Sequence, residues 1–161
     1  MSSQAILALL TALAAPLASG CAAAVGEAEP ALEAGTSDSG TFTAFVTSDT
    51  ISVQSDAEMG IWIRPTLRYQ GFAGRPSVRC TAFDLDRDSF LAEQRTYETA
   101  IERGDWTHVP YVMEVELPDD EIEDVAEMQT YAGDRILLQC RADDDAGNSA
   151  VISYEMTLVV P

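Results

Sequence analysis

The chain has 161 residues, enough for one domain with short appendages. Acids outnumber bases 27 to 9, no base is a lysine, and the formal net charge is −18. That balance argues against nucleic acid, whose binding relies on neutralising phosphates, and disfavours docking directly onto an anionic membrane surface. It fits a solubility device or an adaptation to a salty medium.

Residues 5–18, AILALLTALAAPLA, are uncharged and apolar. The run is short for a membrane span, which needs about twenty apolar residues, and has the length of a secretory h-region. Residues 1–20 are therefore expected to be a signal peptide, although the leading MSSQ carries no lysine or arginine. The segment LASGC (residues 17–21) resembles the lipobox of bacterial lipoproteins. Ala18, Ser19 and Gly20 fill the three positions before Cys21, with Leu17 one place further back than the family prefers. The resemblance implies cleavage before Cys21, lipidation of that residue, and, with Ala22 rather than Asp following, sorting to the outer membrane. If the lipobox is not used, the product is simply secreted.

Residues 22–40 are small and acidic, with too little apolar surface to offset the entropy of ordering. Residues 21–40 thus read as a lipidated cysteine and a disordered linker, a coil spanning about 24 Å root-mean-square. The folded domain is placed at 41–161.

From Thr41 onward the apolar residues recur with period two, the mark of half-buried strands. TFTAFVT and TISVQ open the domain. IWIRPTLRY turns Ile61, Ile63, Leu67 and Tyr69 one way, its Pro65 suggesting an edge or a bulge. SVRCTAFD turns Val78, Cys80 and Ala82 inward. Residues 90–105 have helix-forming composition, or form a long loop with a short strand. YVMEVELP buries Tyr111, Met113, Val115 and Leu117. Residues 118–129 begin with proline and acids, which predicts a short helix there. RILLQCRAD points Ile136, Leu138, Cys140 and Ala142 inward, and AVISYEMTLVV points Ile152, Tyr154, Met156, Leu158 and Val160. Seven short strands with turns between them predict an all-β antiparallel sandwich with one short helix.

Cys80 and Cys140 both fall on inward faces, and in an oxidising compartment such a pair is expected to join; two buried free thiols are the alternative. Their spacing resembles that of an immunoglobulin-type sandwich. CRADDDAGNSAVISYEMTLVV (residues 140–160) is similar to the closing hairpin of bacterial Ig-like and hyalin-repeat modules. Asp145-Ala146-Gly147-Asn148 supplies the turn, with Gly147 and Asn148 suited to positive φ. The resemblance implies a fold and no ligand. No tryptophan follows Cys80 at the distance of the Ig core tryptophan.

Candidate sites are few. Trp62 alternates with the outward set, beside Arg64, Thr66 and Arg68, and reads as a contact surface or as a residue packed under a loop. His108 is the only histidine, and its GDWTHVP setting lacks a nucleophile elbow or oxyanion turn, so no catalytic residue is assigned. Asp84, Asp86 and Asp88 alternate like the first three ligands of a calcium loop, but Ser89 and Arg95 stand where glycine and glutamate belong. Asp143, Asp144 and Asp145 form a second acidic turn that Ca²⁺ is able to bridge. The acids of 119–127 read as a solvated face or as a dock for a basic partner. The expectation is a lipid-anchored, non-catalytic binding or structural module at the bacterial cell envelope. Its partner would be an unidentified protein or envelope component; the alternative is a secreted enzyme or enzyme inhibitor on a sandwich scaffold.

Overall fold

The computed structural model describes residues 28–56, 60–97, 99–116 and 126–161. Within them the chain is nearly all β. In order the strands are β1 (Ala31–Asp38), β2 (Thr41–Ala44), β3 (Thr50–Asp56), β4 (Gly60–Ile63), β5 (Thr66–Gln70) and β6 (Ser77–Asp84). Then come β7 (Ser89–Tyr97), β8 (Ile101–Arg103), β9 (Trp106–Val115), β10 (Arg135–Asp143) and β11 (Ser149–Val159). Residues 1–27, and with them the signal peptide and Cys21, lie outside the described residues.

The long β9 organises the sandwich. One of its edges pairs with β4 and then β5, the other with β7 and then β8. From β9 the hydrogen-bonded order runs through β4, β3, β11, β10 and β6 to β7, which returns to β9. The two layers are thus joined along both sides. All pairings are antiparallel except β11 with β3. Beyond β9, strands β5, β1 and β2 extend one layer. Phe45, just after β2, meets Tyr154 of β11 edge-on across the core, ring centroids 6.1 Å apart.

The inward faces follow the period-two pattern. Ile136, Leu138, Cys140 and Ala142 of β10 are wholly buried, as are Ile63, Leu67, Ala82, Leu91 and Met113. Cys80 and Cys140 are joined, with Cα atoms 4.1 Å apart. They sit directly opposite each other on neighbouring strands β6 and β10 of one sheet. This departs from the Ig-type bridge, which spans two facing sheets.

Three expectations are corrected. Residues 31–38 are a strand, not linker: Leu32 and Ala34 alternate with Glu33 and Gly35, and pairing to β5 buries them. Two small apolar anchors suffice there because β5 supplies the ladder. Residues 90–97 belong to β7 and 101–103 to β8 rather than to a helix or a long loop, since pairing to β6 and β9 overrides local propensity. Pro65 marks neither edge nor bulge; it lies where the chain passes from β4 to β5 in one register along β9, and its buried carbonyl accepts the Tyr111 N–H at 2.9 Å. The predicted helix at 118–129 falls mostly outside the described residues. What is described is a 3-10 turn, Glu127–Tyr131, which buries Met128 and Tyr131.

Candidate functional site

The outer face of β6 and β10 carries a cleft of about 450 Å³ lined by Ser77, Arg79, Thr81, Gln139, Arg141 and Asp143. Strand alternation explains the lining. Cys80 and Cys140 face the core, so their neighbours Arg79 and Arg141 face out, and the antiparallel register sets these two opposite each other. The same register faces Ser77 with Asp143 and Thr81 with Gln139. Arg141 holds Asp143 through two bonds, Nε to Oδ2 at 2.7 Å and Nη2 to Oδ1 at 2.8 Å. Those bonds, with one from Ser149, keep the Asp143 carboxyl below the usual carboxylate range. The Gln139 amide donates to Ser153 Oγ at 3.2 Å. The Arg79 side chain is exposed and, among the described residues, has no hydrogen-bond or ion-pair partner. A second hollow, about 340 Å³, adjoins through the shared Ser77 and Asp143.

A second cluster lies on the outer face of β1, β5 and β9. Glu33, Arg68 and His108 occupy one row of paired positions. Glu33 takes Nε and Nη2 of Arg68 at 2.8 and 2.6 Å. The Arg68 guanidinium lies 4.2 Å from the Phe42 ring centroid and 4.4 Å from that of Trp106. Phe42 also meets His108 edge-on at 5.5 Å. Two rings and a carboxylate engage the cation, so this cluster fastens β2 over the sheet rather than presenting a free guanidinium.

His108 is buried, with the Phe42 ring of this cluster edge-on against it. Burial first, then the positive charges of Arg103 and Arg68, lower its pKa, with Glu102 opposing. A depressed pKa means that neutral His108 contributes stability in full above its unfolded value of about 6.5, and that this is lost as pH falls through the folded value. The melting midpoint of the wild-type chain is expected to drop from pH 7 toward pH 5 more steeply than that of His108→Phe. Parallel pH profiles would contradict the assignment.

The other sequence candidates are dispersed. Trp62 is not a contact surface: it is buried, in register with Gln54 and Glu114, because Ile61, Trp62 and Ile63 are covered on both sides of β4. Its indole N–H has no partner among the described residues. Asp84 is buried and shapes a turn, Oδ1 accepting the N–H groups of Asp86 and Arg87, both at 2.9 Å. Burial raises its pKa. Asp86 is engaged by Arg135, through the backbone N–H at 2.7 Å and Nη2 at 2.8 Å. Arg87 reaches Asp134 at 2.6 Å and lies over the Tyr131 ring. Asp88 adopts φ 52° in the turn. In the second acidic turn, Asp144 accepts N–H groups from Ala73, Ala146 and Asn148. Gly147 takes the positive φ of 88°, whereas Asn148 does not and instead donates its side-chain amide to Asp144 at 2.8 Å. Among the described residues, no three acidic, histidine or cysteine side chains gather as a metal site. The calcium candidates thus have their Asp84, Asp86, Asp143 and Asp144 carboxylates turned to arginines and backbone donors. Of the 119–127 run, residues 119–125 lie outside the described residues.

Arg79 and Arg141 were not singled out from the sequence. The signal was present in the matched dipeptides Arg79-Cys80 and Cys140-Arg141. Once the cysteines are paired on antiparallel neighbours, the arginines must oppose each other. In comparisons with known proteins, no family model, no curated protein and no solved structure matches the chain.

Proposed function

We propose that the protein is a lipid-anchored, non-catalytic module of the bacterial cell envelope, held through Cys21 and presenting one Ig-like sandwich to a protein or envelope component. The observation that carries this reading is the pairing of Cys80 with Cys140. Such a bond belongs to an oxidising compartment. It also leaves Cys21, directly behind the apolar run, as the one cysteine without an internal partner in the sequence.

The Ig-like part of the reading draws support from strand neighbours. β1, β5, β9 and β8 follow one another as A, B, E and D do, and β6, β10 and β11 as C, F and G do. The within-sheet disulfide is the departure. The non-catalytic part draws on His108, which is buried against Phe42 and has its pKa lowered by burial and by the charges of Arg103 and Arg68.

Mass spectrometry of the mature N-terminus tests the anchor. The expected species begins at Cys21 and carries the added mass of acyl chains. An unmodified chain, beginning at Cys21 or anywhere else, overturns the proposal.

A further inference from the structure

We infer that the cleft on the outer face of β6 and β10 binds a small hydroxylated oxyanion, its carboxylate or phosphate group held between Arg79 and Arg141. This goes beyond the anchoring reading and does not depend on it.

The first argument is the pair itself. Like charges directly opposite on antiparallel strands are destabilising, and a register slip would separate them. Here the Cys80–Cys140 bond, one residue away on each strand, fixes the register that keeps them together. The second argument is pairing. In a chain with 27 acids and 9 arginines, ion partners are abundant. Arg68, Arg87, Arg135 and Arg141 all hold carboxylates. Arg79 holds none among the described residues. Arg141 spends Nε and Nη2 on Asp143, which leaves Nη1 outside that pair. Two guanidiniums with unspent donors on one face suit an oxyanion, whose lone pairs accept several charge-assisted bonds at once.

The rest of the lining sets the body of the ligand. Ser77, Thr81 and Gln139 offer hydroxyl and amide groups, and no aromatic or large aliphatic side chain lines the cleft. A volume of about 450 Å³ exceeds what a bare anion fills and lies within the range of small-ligand sites. Hydroxyl groups on the ligand would match that lining. Asp143 lines the cleft but is spent on Arg141, and acids beyond a Debye length of about 8 Å are screened at physiological salt.

The test is titration of the chain with glucuronate and with glycerol phosphate, followed by amide NMR shifts on β6 and β10. Glucose, glycerol and inorganic phosphate are the controls. Saturable binding of glucuronate, glycerol phosphate or both is expected, stronger than that of inorganic phosphate and absent for the neutral compounds. The tighter of the two identifies the acid group as carboxylate or phosphate. Arg79→Gln, an exposed substitution, is expected to weaken binding on the order of tenfold, the loss of one charge-assisted bond. Arg103→Gln, on the other layer, should leave it unchanged. No saturable shift with either anion, equal binding of the neutral compounds, inorganic phosphate binding as tightly as both, or undiminished binding by Arg79→Gln would each overturn the inference.

Discussion

Replacing both Cys80 and Cys140 by alanine is expected to cost about 4 kcal/mol of folding stability, measured by urea unfolding as a lower midpoint with a steeper slope, because the unfolded chain without the crosslink is more expanded. The two residues are 60 apart in sequence, so the bond closes a long loop and removes many conformations from the unfolded chain. Both side chains are wholly buried. The double substitution is preferred to chemical reduction because reductant reaches buried sulfur slowly. The variant should also loosen the register between β6 and β10, visible as faster amide exchange along both strands. A midpoint that does not move would mean that the sheet ladder alone holds these strands.

Gly35→Val is expected to be nearly as damaging, by about 2–3 kcal/mol, through forced overpacking. A Cβ at position 35 would lie 2.0 Å from the Thr43 carbonyl oxygen and 2.8 Å from its carbon. Both are backbone atoms of β2, so no side-chain rotation relieves the clash. β2 would have to lift away, taking Phe42 off Arg68 and His108. The consequence reaches beyond stability. With burial reduced, the His108 pKa should rise toward the ordinary imidazole value, and NMR titration of its single imidazole signal reads this directly. An unchanged His108 titration would show that β2 does not cover it.

Much of the fold is legible from alternation. The inward faces of β6, β9, β10 and β11 follow from spacing, because successive side chains in an extended chain must point to opposite sides. The pairing of the two inward cysteines follows as well. Segments whose burial depends on neighbours were not legible. The strand at 31–38 carries only Leu32 and Ala34 as apolar anchors, and β5 makes it a strand. Trp62 sits on the outward alternation yet is buried, since what covers a sheet's second face is not written in the strand itself. The candidate cleft belongs to the same group. Its residues come from two strands some sixty residues apart in the chain, and their types are unremarkable until the strands meet.

The sequence by itself determined the β character, the inward set of core residues, the acidity, and the division of the cysteines into an inward pair and Cys21. These are local properties, settled by backbone sterics and by composition. Tertiary structure alone decided which strands are neighbours. It ran β11 parallel to β3, placed the disulfide within one sheet, buried His108 beneath Phe42, and brought Arg79 opposite Arg141. The physical reason is that a period-two pattern specifies which face of a strand turns inward but not what pairs along its edges. Edge pairing is a long-range choice among many strands of similar pattern, and here it is made by register, by the cysteine bond and by close approach at Gly35.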